Sequence, residues 1–146
     1  IADEGVHEAV VVVDHEDRGG LTGLRRAYEL GPGAIIQEVI LSGLRGRGGG
    51  GFPTGQKWQT VAANAAAGPP ATVVVNGAEG EPGTLKDRSI LRHNPYQVIE
   101  GAFIAARATH ADRVIIALKG SFTAEVRRTQ GGGRHDGRAK GRGAKG

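Results

Sequence analysis

Residues 72–118 read TVVVNGAEGEPGTLKDRSILRHNPYQVIEGAFIAARATHADRVIIAL. Thr72–Val75 opens the stretch with an apolar β-branched run and Val114–Leu118 closes it with another. Neither alternates with polar residues, the pattern of a parallel strand covered by helices on both faces. Between them, Asn94-Pro95 has the residue types of a helix start, and Ile99, Ala102, Phe103 and Ala106 recur on one helical face. Strand, helix, strand makes a βαβ unit, for which a right-handed crossover is the rule. The expected class is α/β, a parallel sheet with flanking helices. Asn76 and Lys119 then stand at the carboxyl ends of strands, where open α/β sheets bind ligands.

Working back toward the amino terminus, Pro69-Pro70 ends a helical segment in which Trp58, Val61, Ala62 and Ala65 share one face. Before it lies LRGRGGGGFPTG, with six glycines between positions 43 and 51, a density that no helix or strand interior tolerates. A helix from Pro32 pairs Ile35 with Val39 and Ile36 with Ile40 and stops at Ser42-Gly43, and an earlier one covers Leu21–Leu30. Ala9–Val13 reads as a short strand, followed by the polar loop DHEDRGG. Toward the carboxyl terminus, a short helix around DRSILRH precedes Asn94, and another begins at TAEVRRTQ after Phe122. Residues 1–19 form an amino-terminal strand and loop segment, 20–130 a partial α/β domain, and 131–146 a tail with no apolar residue larger than Ala, expected to be disordered.

One core is the ceiling for 146 residues. The absence of Cys excludes disulfides, zinc-thiolate sites and Cys-ligated iron–sulfur clusters in this chain. No apolar run approaches the length of a membrane span and the opening residues carry no export pattern, so a cytoplasmic chain is expected. Ile1 in place of Met suggests a processed or partial product. The net charge of +4 sits entirely in the tail, where Arg134, Arg138, Lys140, Arg142 and Lys145 face only Asp136. The other 130 residues carry 14 basic and 14 acidic groups, so a globally basic nucleic-acid-binding domain is not supported.

Two loops could carry chemistry. GRGGGG at 46–51 satisfies G-x-G-x-x-G only trivially and follows a helix rather than a strand, so it is not a dinucleotide fingerprint. Its backbone amides, together with the helix start after Pro53 and the charges of Arg45, Arg47 and Lys57, would instead form a phosphate cradle. The alternative is a loose surface loop. Asn76, Glu79 and Glu81 leave the first buried strand and could accept hydrogen bonds from ring NH groups, ribose hydroxyls or a carboxamide. The alternative there is a solvated acidic loop, or partners for Lys86 and Arg88. His93 and His110 fall near helix ends and suit cap or surface roles. No nucleophile–base pair or metal-ligand spacing stands out, so no catalytic and no metal-binding residue is assigned.

SGLRGRGGGGFPTGQKW at 42–58 and VNGAEGEPGTLKDR at 75–88 closely resemble the FMN- and NADH-binding flavoprotein subunit of respiratory complex I. Flavin subunits of NAD-dependent formate dehydrogenases and NAD-reducing hydrogenases share these motifs, and the resemblance covers about residues 20–128. It implies a Rossmann-like, incomplete flavin-binding domain. It also implies that Gly46, Arg47, Gly48, Gly49 and Gly51 wrap the FMN phosphate and ribityl chain, with Lys57 on the flavin side. Phe52 would stack near the nicotinamide–adenine cofactor, Asn76 and Glu79 would line the flavin pocket, and Glu81 would stand close to the NADH site. The implied chemistry is hydride transfer from NADH to FMN, then electron release to iron–sulfur clusters of partner domains. The implied partners are the other subunits of an NADH-oxidising complex, which would hold the chain peripherally at the inner face of a membrane.

Three departures qualify this. Ala78 stands where complex I members commonly have Asp, Thr60 replaces an aromatic residue, and the segments that complete the family's pocket and bind its clusters do not follow Arg128. The Gly/Arg/Lys tail suggests a frame-shifted or artificially ended reading of a longer gene. Weak or no activity of the isolated chain is expected, as is poor stability from an uncovered sheet. The rival classes are an RGG-like nucleic-acid binder using RGRGGGG and the tail, and an inactive scaffold subunit.

Overall fold

The computed structural model describes residues 20–132. The strand expected at Ala9–Val13 and the tail at 133–146 lie outside them. In chain order the elements are α1 (Thr22–Leu30), α2 (Pro32–Leu41), α3 (Thr54–Ala67), β1 (Ala71–Gly77), α4 (Lys86–His93), α5 (Pro95–Thr109), β2 (Ala111–Leu118) and α6 (Thr123–Gly132).

β1 and β2 pair in parallel, from Ala71 opposite Ala111 to Gly77 opposite Leu118, so the strand–helix–strand unit forms with α5 as its connecting helix. Local chemistry sets the limits of α5. The Asn94 side-chain oxygen accepts from the Gln97 amide, and Pro95 supplies a helical φ at the first position. At the other end His110 adopts φ +55° and donates its amide to the Ala106 carbonyl, turning the chain directly into β2.

α5 is the axis of the molecule. Its side toward the sheet packs on β1 and β2, and its other flanks receive α1, α2, α3 and α6. The buried core beside it comprises Ala27, Ile35, Ile36 and Ala108, with Leu30, Ile40, Trp58, Ala62 and Ile104 packed around them. Small residues on α5 let neighbours approach closely, and its buried positions include Ile99, Ala102, Ala105, Ala108 and Thr109. Phe103, expected on that face, is 43% exposed. Helices press on α5 from several sides, so its buried surface follows Ala rather than the bulkiest side chains.

The sheet also departs from expectation. The apolar runs predict strands covered on two faces, yet β1 alternates between half-buried and exposed residues until the buried Gly77. In register, Thr72, Val74 and Asn76 share a face with Arg113, Ile115 and Ala117. Val74 is 59% and Ile115 42% exposed on it. The opposite face, with Val75, Ile116 and Leu118, borders a small hollow under Leu91 and Val98 of α4 and α5. Among the described residues, α4 and α5 lie against the face of Val75, Ile116 and Leu118, while apolar β-branched residues stay exposed on the other. The apolar run records a two-sided environment of which the described residues supply half.

Candidate functional site

The glycine loop is a closed structure. Arg45 and Pro53 form an antiparallel bridge, the Gly46 amide donates to the Phe52 carbonyl at 2.9 Å, and the Thr54 amide donates to the Leu44 carbonyl at 2.9 Å. Arg45 donates from Nη1 to the Gly51 carbonyl at 3.0 Å, so this cation braces the loop from within. Gly49 and Gly51 have φ of +103° and +57°, which L side chains adopt at a cost. The loose-loop alternative gives way to a tied loop whose tip, Gly48–Gly51, faces open space.

α3 starts at once beyond this loop. Lys57 donates its amide to the Pro53 carbonyl, while the first-turn amides of Gly55 and Gln56 have no acceptor within the helix. Gly55 is buried because α3 crosses α2 there, and a Cβ would lie 2.5–2.9 Å from Ile40. That contact aims the amino end of α3 at the loop. Phe52, Lys57, Thr60 and Val61 line one open hollow of about 490 Å³, inside the range of about 300–1,000 Å³ usual for ligand sites. Phe52 is 57% exposed, and Arg47 and Lys57 are exposed too. Thr60 spends its hydroxyl proton on the Gln56 carbonyl, at 3.1 Å.

The second loop is built differently. The sequence reading makes the Asn76 side chain an acceptor for a ligand, but its Oδ1 takes the Ala78 amide at 3.1 Å, which turns the chain as it leaves β1. Gly77 is buried because a Cβ would fall 2.7 Å from Leu118 Cδ2. Glu79, to which the sequence allows a solvated role or side-chain partners, is instead 8% exposed and accepts the Asp87 amide at 3.2 Å and the Arg88 amide at 3.5 Å. It therefore caps α4, placing a negative charge at the positive end of that helix. Glu81 has an exposed side chain, and its carbonyl accepts from the Thr84 amide and hydroxyl to close a turn through Pro82 and Gly83. Lys86 pairs with Asp87 at 2.7 Å, and that hydrogen bond holds the ammonium pKa above its ordinary range.

Glu79→Ala should cost about 1 kcal/mol, the usual worth of a lost cap. Urea denaturation should show a lower midpoint, and amide exchange at Asp87 and Arg88 should accelerate. Glu79→Gln should recover part of the loss.

Sequence reading passed over two further buried acids. Glu100 on α5 accepts the Leu24 amide at 3.0 Å and so holds the start of α1. Glu125 on α6 is 1% exposed and accepts from Nε of both Arg88 and Arg92. Burial pushes its carboxyl up, but hydrogen bonds from the backbone and from the two guanidinium groups hold the pKa below the ordinary carboxylate range. The Arg88 guanidinium lies 5.2 Å from the Phe122 ring centre, with Lys119 Nζ 6.0 Å from the same ring. Residues 33 and 37 positions apart cannot be paired by spacing, so no periodicity foretold this cluster. Among the described residues there is no group of three or more His, Cys, Asp or Glu able to hold a metal, and no helix is long and apolar enough to cross a membrane.

The Nuo51 FMN-binding domain (Complex1_51K) family model matches residues 39–139. An NADH-quinone oxidoreductase subunit of Rhizobium meliloti (strain 1021) is 44% identical over 117 residues, which are 80% of this chain and 27% of the relative. The mitochondrial NADH dehydrogenase (ubiquinone) flavoprotein 1 of Dictyostelium discoideum is 41% identical over 110 residues, 75% of this chain and 23% of the relative. Among solved structures, an NAD+-reducing [NiFe]-hydrogenase in the H2-reduced state superposes with a TM-score of 0.64 at 42% identity, over 69% of this chain and 17% of that one. The chain spans about a quarter of the length of the curated relatives it matches.

Proposed function

Since the chain belongs to the Nuo51 FMN-binding domain family, we propose that it forms the phosphate-gripping part of the FMN site in an NADH dehydrogenase flavoprotein module. The observation that carries this reading is the tied glycine loop set against the amino end of α3, with Arg47 and Lys57 exposed beside it. Unpaired amides, a helix start and two cations suit a dianionic phosphate monoester. The open space around Gly48–Gly51 is room that side chains would fill.

In this reading Gly46, Gly48, Gly49 and Gly51 present backbone to the phosphate and ribityl chain. Arg47 and Lys57 neutralise the anion. Phe52, at the mouth of the hollow it shares with Lys57, offers a ring face to the dinucleotide. The Asn76 amide NH2 donates to the flavin ring system, Glu79 shapes the pocket wall through α4, and the exposed Glu81 orients NADH. Bound FMN would supply acceptance of a hydride from NADH and release of its electrons one at a time. The chain's own residues bind and orient, which is what brings a donor and an acceptor into register. The name of one relative, a subunit of an NADH-quinone oxidoreductase, supports partner subunits, which in this reading carry the clusters. The open sheet face at Val74 and Ile115 supports further polypeptide against this one. A cytoplasmic location, peripheral to the membrane through those partners, completes the proposal.

Titrating FMN with the purified chain tests it. Saturable quenching of flavin fluorescence is expected, weakened at least about tenfold by Arg47→Ala combined with Lys57→Ala, since two charge-assisted contacts are lost. No saturable uptake by folded chain would overturn the assignment. Tighter binding to single-stranded nucleic acid than to FMN, abolished by deleting residues 131–146, would favour the RGG-like alternative instead.

A further inference from the structure

We propose that Glu125, which lies outside both flavin-family motifs, is a positioning residue for the loop at the carboxyl end of β1. The proposal rests on the flavin-site reading of that loop. The loop hangs between two anchors. One is the end of β1, where Asn76 and Gly77 are held against β2. The other is the start of α4, where Glu79 reaches from the loop to the Asp87 and Arg88 amides. The first anchor belongs to the sheet and cannot turn. The second is only as steady as α4.

α4 is eight residues long, and of these only Leu91 is buried. One buried apolar residue is a single pivot, about which polar contacts can decide the rotation. Arg88 and Arg92 stand one turn apart on the same face, and both direct Nε at the same oxygen, Oε1 of Glu125. Glu125 is 1% exposed while the two arginines are 37% and 51% exposed. The carboxylate is thus the fixed point and the guanidinium groups come to it. Phe122, one turn earlier in the chain, stacks under Arg88 and keeps its guanidinium in line. Any rotation of α4 that broke these bonds would leave the Glu125 carboxylate buried without either guanidinium, which is strongly disfavoured. The rotation is therefore locked, and with it the position of Glu79 and the path of residues 78–85.

Amide exchange and FMN titration on the same chain test this. In Glu125→Gln, the amides of Thr84, Asp87 and Arg88 should exchange at least about tenfold faster, while those of Ile99–Ala108 in α5 keep their rates. FMN affinity should fall about three- to tenfold at a temperature where far-UV circular dichroism shows both chains folded. Arg88→Lys keeps the charge and its place over Phe122 but removes the Nε donor. It should reproduce both effects in weaker form, and it carries the test if Glu125→Gln does not fold. Unchanged exchange at Thr84, Asp87 and Arg88 would overturn the proposal. So would acceleration shared equally with α5, or full FMN affinity despite a loosened loop. If the unaltered chain takes up no FMN, the flavin reading fails. The exchange pattern then still decides whether Glu125 locks α4.

Discussion

Alanine at Gly55 should destabilise the protein by about 3 kcal/mol or more, the upper end for overpacking, and should abolish FMN uptake along with it. The added Cβ would sit 2.5 Å from Ile40 Cγ1, 2.7 Å from Ile40 N and 2.9 Å from Ile40 Cα. Two of these three atoms are backbone, so no rotamer change relieves the overlap, and α3 must move away from α2. The helix that moves is the one whose amino end faces the glycine loop. Ile40, Trp58 and Ala62 around the core would lose their fit together. Domains of this size are stable by only about 5–15 kcal/mol, and the exposure of Val74 and Ile115 on the sheet draws on that margin. Urea denaturation followed by circular dichroism should show a large fall in midpoint. Gly101→Ala is the control: it is exposed in the middle of α5, its Cβ would meet nothing within 4 Å, and it should gain up to about 1 kcal/mol from helix propensity. A Gly55→Ala chain as stable as the parent would refute the packing argument.

Valine at Gly49 or Gly51 should weaken FMN binding at least about tenfold each, with much less loss of stability than at Gly55. Both glycines have positive φ, where an L residue costs about 1–2 kcal/mol and a β-branched one more. About 1.4 kcal/mol corresponds to a factor of ten in affinity. A Cβ at either position would meet nothing within 4 Å, so strain there reshapes the amides without disturbing the core. Gly48→Ala separates the two causes, because its φ is ordinary and its surroundings are open. Weak binding there would mean that the methyl group fills room the ligand needs. Full binding would leave backbone strain as the cause. Fluorescence titration at fixed temperature reads all three variants, and unchanged affinity in both valine variants would remove the loop from the site.

Much of this was legible along the chain. The β-branched runs, the Asn94-Pro95 start and the helical faces of Ile35–Ile40 and Trp58–Ala65 all depend on neighbours a few residues away, and all appear where periodicity placed them. The glycine-dense loop declares itself by composition, and together with the motif at 75–88 it carries the family. Glu79 is a different case. A carboxylate in an acidic loop reads as solvated surface, yet it is buried because the chain doubles back and presents the start of α4 to it.

Local information in the residues determined the elements, their order, the tied turn of glycines and the kinship with flavin-binding chains, because propensity, capping and backbone freedom act over a few positions. Three-dimensional packing alone decided that Val74 and Ile115 stay exposed on one sheet face among the described residues, that Phe103 is partly exposed, and that Gly55 is where two helices cross. It also decided the fates of the buried acids, for Glu79, Glu100 and Glu125 each act on a partner from another element. A charge is buried only where a partner waits for it, and no linear pattern records which distant partner the folded chain will bring.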